Sequence, residues 1–124
     1  MTAKQYTLIF EERPDYLYAR VEGENDSYEI SLAFWTEVAS ECERLDVSKV
    51  LVEENIPEVV SVSEMYQIAS ELPDLFLGVS LAFVDPYADQ AELNSFGELV
   101  AQNRGVRGRF FADVPSAEEW LRSI

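Results

Sequence analysis

The chain has 124 residues and a formal charge of −15, from 24 acidic and 9 basic side chains. That length suits one domain over residues 1–124 whose core needs no staple, and a 48% apolar share excludes a disordered chain. A field this negative repels phosphate backbones and anionic lipid surfaces, which argues for no nucleic acid and no membrane as partners, and it keeps the domain soluble.

Tyr6 to Phe10 is rich in strand formers. Glu11 to Asp15 breaks the pattern with a Pro14-Asp15 turn pair, and Tyr16 to Val21 resumes it, so the two segments read as a hairpin. Tyr28 to Leu45 reads as a helix, with Ile30, Phe34, Val38, Cys42 and Leu45 on one face and Trp35 beside it. Lys49 to Glu53 is a short apolar strand of the kind covered on both faces in a parallel sheet. Val62 to Leu72 is a second helix, with Val62, Met65, Tyr66, Ala69 and Leu72 inward and Pro73 as its stop. Val79 to Val84 is another buried strand. Gln90 to Arg104 is a third helix, turning Leu93, Phe96, Gly97 and Val100 inward and ending at Gly105. Val106 to Ala112 gives the last strand, and Ser116 onward a last helix with Ala117, Trp120, Leu121 and Ile124 to one side.

The four helix starts share one device, a capping residue followed three positions later by Glu: Asp26/Glu29, Ser61/Glu64, Asp89/Glu92 and Ser116/Glu119. The expected fold class is α/β, a mixed and mostly parallel sheet with an N-terminal β-hairpin and four helices, in the order β-β-α-β-α-β-α-β-α.

That order resembles the STAS superfamily, and within it the small stand-alone SpoIIAA-like proteins. The resemblance rests on two stretches. One runs from Asp85-Pro86 into Glu92-Leu93-Asn94-Ser95-Phe96 and closes at Asn103-Arg104-Gly105; the other runs from Val106 to Asp113 into Ser116 to Leu121. It implies a regulatory role through a protein partner and no reaction. In anti-sigma factor antagonists a Ser at the start of the helix after the third strand is phosphorylated. The corresponding segment here, Glu53 to Ser63, is longer and lacks the glycine of that family's Asp-Ser-Ser-Gly style turn.

Catalytic chemistry finds little to work with. The chain has no histidine, which excludes Ser-His-Asp and Cys-His sets and histidine metal sites. Cys42, the single cysteine, forms no internal disulfide and lies on an apolar helix face, where a thiol is inert. No glycine-rich phosphate loop or dinucleotide fingerprint is present. The expectation is no enzyme, no cofactor and no resident metal, in a cytoplasmic protein.

Four groups remain as candidates. Ser61 and Ser63 stand at a helix N-terminus, where a phosphate meets free N–H groups, although Ser61 also fits a plain cap. Glu53, Asp85 and Asp113 fall at the ends of three strands, where α/β sheets place ligands; together they suit a hard cation, and separately they are ordinary turn residues. An aspartate phosphate receiver is excluded, because Lys4 precedes the first strand and Lys49 is at the wrong end of its own. Arg104, Arg107 and Arg109 suit an anionic ligand or acidic partner patch, or else neutralise neighbouring acids. Finally, Ile56, Val59 and Val60 in one loop and Leu75-Phe76-Leu77 in another read as core lids or docking surfaces.

The leading functional reading is a regulatory domain that binds a protein partner of unknown identity. The alternative is a small-molecule or lipid binder whose apolar pocket, between sheet and helices, is lined by Tyr66, Phe83, Phe96 and Trp35. A homodimer through a sheet edge or helix face is compatible with the sequence, and no feature decides it.

Overall fold

A computed structural model describes residues 5–58 and 60–124. Strands β1 (Thr7–Glu12) and β2 (Leu17–Glu22) form the expected hairpin, paired antiparallel with Leu8 opposite Val21. Helix α1 (Tyr28–Leu45) leads to β3 (Lys49–Asn55), α2 (Val62–Leu75) to β4 (Ser80–Val84), and α3 (Ala91–Asn103) to β5 (Arg107–Phe111). A short 3-10 turn, Ala88–Gln90, precedes α3, and α4 (Val114–Ser123) follows β5. The sheet order is β1-β2-β3-β4-β5, with every pair after the hairpin parallel. The order of elements and the mixed sheet are as the sequence implies.

The sheet separates two apolar layers. Alternation in β3 sends Val50 and Val52 to one face and Leu51 to the other. On the first face α1, α2 and α3 pack Phe34, Trp35, Val38, Ile68, Leu72 and Ala101 against Leu17, Ala19, Val21 and Leu81. On the second face α4 alone buries Ala117 and Leu121 against Tyr16, Tyr18, Leu51, Ala82 and Val84. Lys49 secures that helix by donating to the carbonyls of Leu121 and Ile124, at 2.8 and 2.6 Å.

Several local expectations are corrected. Three of the four capping pairs are displaced. Ser27, not Asp26, caps α1 by accepting from Ile30 N at 3.1 Å. Asp113, not Ser116, caps α4 by accepting from Ser116 N at 2.8 Å. Helix α3 starts from the 3-10 turn with Gln90 at its N-cap and no side-chain cap, so Asp89 does not serve. Only the Ser61/Glu64 pair forms the full reciprocal box, at 3.1 Å in each direction. The motif is short, and Ser or Asp lies near most helix starts, so spacing alone cannot choose among neighbours.

Pro73 does not stop α2; it sits inside the last turn and the helix runs on to Leu75. A proline there forfeits one hydrogen bond close to an end where the ladder stops anyway. The inward face of α2 is also rotated. Ile68, Ala69 and Leu72 are buried, while Val62 and Tyr66 are 64% and 48% exposed. In α3 the fully buried positions are Asn94, Gly97 and Ala101, with Leu93, Phe96 and Val100 only partly covered. Gly97 permits the close approach of α2: an added Cβ would fall 2.5 Å from Met65 Sδ. The loop residues Ile56 and Val60 are core, and so is Phe76, which leaves Leu77, 81% exposed, as the outward apolar residue of the second loop. Val59 and Lys4 lie outside the described residues.

Candidate functional site

The parallel strands end beneath the first turns of α1 and α3, and polar side chains gather there against the sheet. Glu54 continues the inward stripe of β3, Val50-Val52-Glu54-Ile56, and so enters the covered face as a carboxyl group only 7% exposed. Asp85 follows β4 and is 3% exposed. It accepts from Tyr87 N at 2.9 Å and from Asn94 Nδ2 at 2.8 Å. Asp26, just before α1, accepts from Ser27 N at 2.8 Å and Ser31 Oγ at 2.7 Å. Gln90 donates to the carbonyls of Ile56 and Pro57 at 3.2 and 2.8 Å, which ties the loop after β3 to the start of α3.

These groups form the polar end of a cavity of about 70 Å³ between the sheet and α2–α3. Its walls are otherwise mostly apolar, among them Trp35, Met65, Ile68, Leu81, Phe83 and Ala101. Of the aromatic residues expected to line a pocket, Trp35 and Phe83 do so, 5.6 Å apart between ring centres. Tyr66 is turned outward and Phe96 is not in the lining.

Burial sets the charge state of the polar end. It pushes the Glu54 carboxyl well above the usual carboxylate range, and the charges of Asp26 and Asp85 push it further. Asp26 and Asp85 are also raised by burial, but hydrogen bonds from Ser31 and Ser27, and from Asn94 and Tyr87 N, hold them down. Glu54 therefore keeps its proton and donates it to Asp26. Among the described residues no backbone or side-chain donor reaches the Glu54 carboxyl, so it is a buried acid hydrogen-bonded only to another acid.

The strand-end acids named from sequence do not converge. Only Asp85 faces the cavity. Glu53, one residue from Glu54, points to the opposite face, where the Tyr18 hydroxyl donates to it and Arg20 Nε lies 3.9 Å away. Burial, and then the hydrogen bond to that acid, push the Tyr18 phenol up to about 12. Asp113 is spent as the exposed cap of α4, and the backbone N–H of Ser116 holds it below the usual range. No group of three metal-binding side chains assembles among the described residues.

Ser61 and Ser63 are both exposed at the start of α2, with the Ser61 hydroxyl committed to its cap. The three arginines form no contact ion pair with a carboxylate among the described residues. Arg104 donates to the Tyr66 hydroxyl at 2.7 Å and lies 5.5 Å from that ring. Arg109 covers Phe111 and Trp120 at 5.3 and 5.9 Å, and Arg107 is exposed on the same strand face. Cys42 is buried, and burial pushes its thiol up to about 11, so it carries no thiolate at neutral pH.

Asp26, Glu54, Asn94 and Gln90 were not singled out from sequence as site residues. For Glu54 a signal existed, an acid at an inward position of a period-two apolar stripe. Asp26 reads as a cap, and Asn94 becomes visible only once α3 is seen to turn the Asn94-Gly97-Ala101 face inward.

This arrangement, a hairpin followed by three crossovers between parallel strands with one helix on the far face, is a STAS-like α/β fold. Among solved structures the chain is similar to "Structure of the Bacillus Cell Fate Determinant SpoIIAA in the Phosphorylated Form", with a TM-score of 0.51 over 92% of this chain and 99% of that one, at 10% identity. No family model matches the sequence, and no curated protein does. No helix among the described residues is long and apolar enough to cross a membrane.

Proposed function

We propose that this chain is a non-catalytic regulatory domain that works in the cytoplasm by binding a protein partner. The observation that carries it is the outward turn of α2. Val62 and Tyr66, one helical turn apart, present apolar surface to solvent beside the exposed Ser61 and Ser63. The solved neighbour, a cell fate determinant in its phosphorylated form, supports a regulatory role for this fold and makes modification at Ser61 or Ser63 part of the same proposal. A phosphate on Ser61 displaces its capping bond, whereas one on Ser63 leaves the box intact.

Tagged protein recovered from its native cells tests this directly. A partner enriched by the unaltered chain and lost with the double variant Val62→Glu/Tyr66→Glu supports docking on α2. Equal recovery with both proteins removes this surface from the reading. The substituted side chains are exposed, so folding is retained.

A second reading, a small-molecule binder, is favoured by the cavity between the sheet and α2–α3.

A further inference from the structure

The two edges of the sheet are finished differently. At β5 outward backbone groups are already taken: Phe110 N donates to Glu98 Oε2 at 2.6 Å and the Gly108 carbonyl accepts from Gln102 Nε2 at 2.8 Å, both side chains coming from α3. At β1 no such cover exists among the described residues. Arg13 N donates to Tyr16 O at 3.0 Å across the mouth of the hairpin, and β1 pairs with β2 without a break from Thr7 opposite Glu22 to Glu12 opposite Leu17. Alternation along that ladder turns the N–H and C=O of Thr7, Ile9 and Glu11 toward β2, and those of Leu8, Phe10 and Glu12 outward. Among the described residues nothing bonds to these outward groups. The strand also lacks the common edge defences: it has no proline, no lysine and no bulge.

Its side chains match the open backbone. Ile9 stands opposite Arg20 on the face that carries α4, but α4 packs over β3, β4 and β5, and Ile9 is 51% exposed. Leu8 and Phe10 turn to the other face, partly buried at the rim of the core. The edge thus has an apolar centre, Leu8-Ile9-Phe10, with Thr7 before it and Glu11 and Glu12 after it.

The geometry points to a homodimer in which β1 pairs antiparallel with β1 of a second copy, about a two-fold axis at Ile9. Outward groups must meet outward groups, so Leu8 faces Leu8, Phe10 or Glu12 of the other copy. Facing Phe10, it sets Ile9 against Ile9 at a non-hydrogen-bonded position, where Cα atoms approach to about 4.5 Å. Glu11 then meets Thr7, and Glu12 meets Tyr6, so no acid opposes an acid; Arg13, 3.3 Å from Glu11, offsets that charge. Facing Glu12 instead puts Ile9 against Glu11, and facing Leu8 leaves only Thr7 to Ile9 of each strand paired. The second copy is the occupant because the edge in this register is its own complement. Each copy offers one open edge, so assembly closes at two. Each also carries −15, so long-range repulsion opposes the pairing and salt relieves it. With six strand residues a side the interface is small, in the class below about 1,200 Å² where association is weak and reversible. The pairing uses no residue of α2 and is independent of the surface proposed there.

Sedimentation equilibrium of the full chain and oxidative cross-linking test this. The unaltered protein should pass from monomer to dimer as its concentration rises, with nothing larger. The dimer fraction should grow as sodium chloride goes from about 0.05 to about 0.5 M. Ile9→Lys, a change at an exposed side chain, sets two ammonium groups face to face and should hold the chain monomeric. Under mild oxidation Ile9→Cys should form a disulfide-linked dimer, because the paired Cα atoms fall within bonding range, while Thr7→Cys, opposite Glu11, should not. Cys42 is buried and does not compete. Val62→Glu/Tyr66→Glu should dimerise as the unaltered chain does. A chain that stays monomeric at high salt overturns the proposal. So does a dimer that survives Ile9→Lys, or cross-linking at Thr7→Cys that outruns that at Ile9→Cys.

Discussion

Replacing Glu54 with Gln isolates the contribution of one buried acid to stability. The folded chain holds a proton on Glu54 that the unfolded chain releases in the ordinary carboxylate range. Because the folded-state pKa is raised, this contribution is fully present below the unfolded value of 4.5 and is lost as pH rises toward the folded value. One proton held by the folded state alone tilts unfolding free energy downward by about 1.4 kcal/mol per pH unit. Asp26 and Asp85, raised in the same sense, add to that slope. Groups lowered in the fold, Glu41, Glu64 and Asp113, act below the ordinary carboxylate range, and Cys42 and the raised tyrosines act well above neutrality. A window from about pH 5 to about pH 8 therefore reports the buried acids. Gln keeps the shape and a donor toward Asp26 but cannot ionise. Urea unfolding across this window should show the unaltered protein losing stability with rising pH. Glu54→Gln should lose less, by up to about 1.4 kcal/mol per pH unit, and should be the more stable of the two at the alkaline end. Identical slopes would refute the assignment of a retained proton to Glu54.

Two further outcomes follow from the same packing. Ser61→Ala should cost about 1 kcal/mol through loss of the one complete capping box, read as a lower urea midpoint with unchanged slope. Helix α3 guards the free edge of β5: Glu98 Oε2 accepts from Phe110 N at 2.6 Å and Gln102 Nε2 donates to the Gly108 carbonyl at 2.8 Å. The double variant Glu98→Ala/Gln102→Ala should leave that edge open to strand addition. Sedimentation velocity should then show concentration-dependent association beyond that of the unaltered protein.

The order of elements was legible because each long apolar pattern has a single reading. Ile30, Phe34, Val38 and Cys42 repeat at helical spacing, and Val50 to Val52 is too short and too branched for a helix. Helix rotation was less legible. Val62 and Tyr66 belong to a stripe as regular as the one actually buried, and the contact that distinguishes them is tertiary: α2 meets α3 through Met65, which sits against Gly97. The arginines show the same limit: aromatic rings from other elements, Tyr66 and Trp120, hold Arg104 and Arg109 where sequence suggested acids.

Composition and periodicity by themselves determined the class of fold, the number of helices, the absence of histidine chemistry and the inert setting of Cys42. These follow from local rules, in which a residue's type and spacing decide its face. Only the tertiary structure decided that Glu54 and not Glu53 joins Asp85, that Asp26 meets them from a different element, and that a hollow adjoins all three. Convergence of that kind depends on strand register and helix rotation, which are set jointly by the whole core and are written in no single segment.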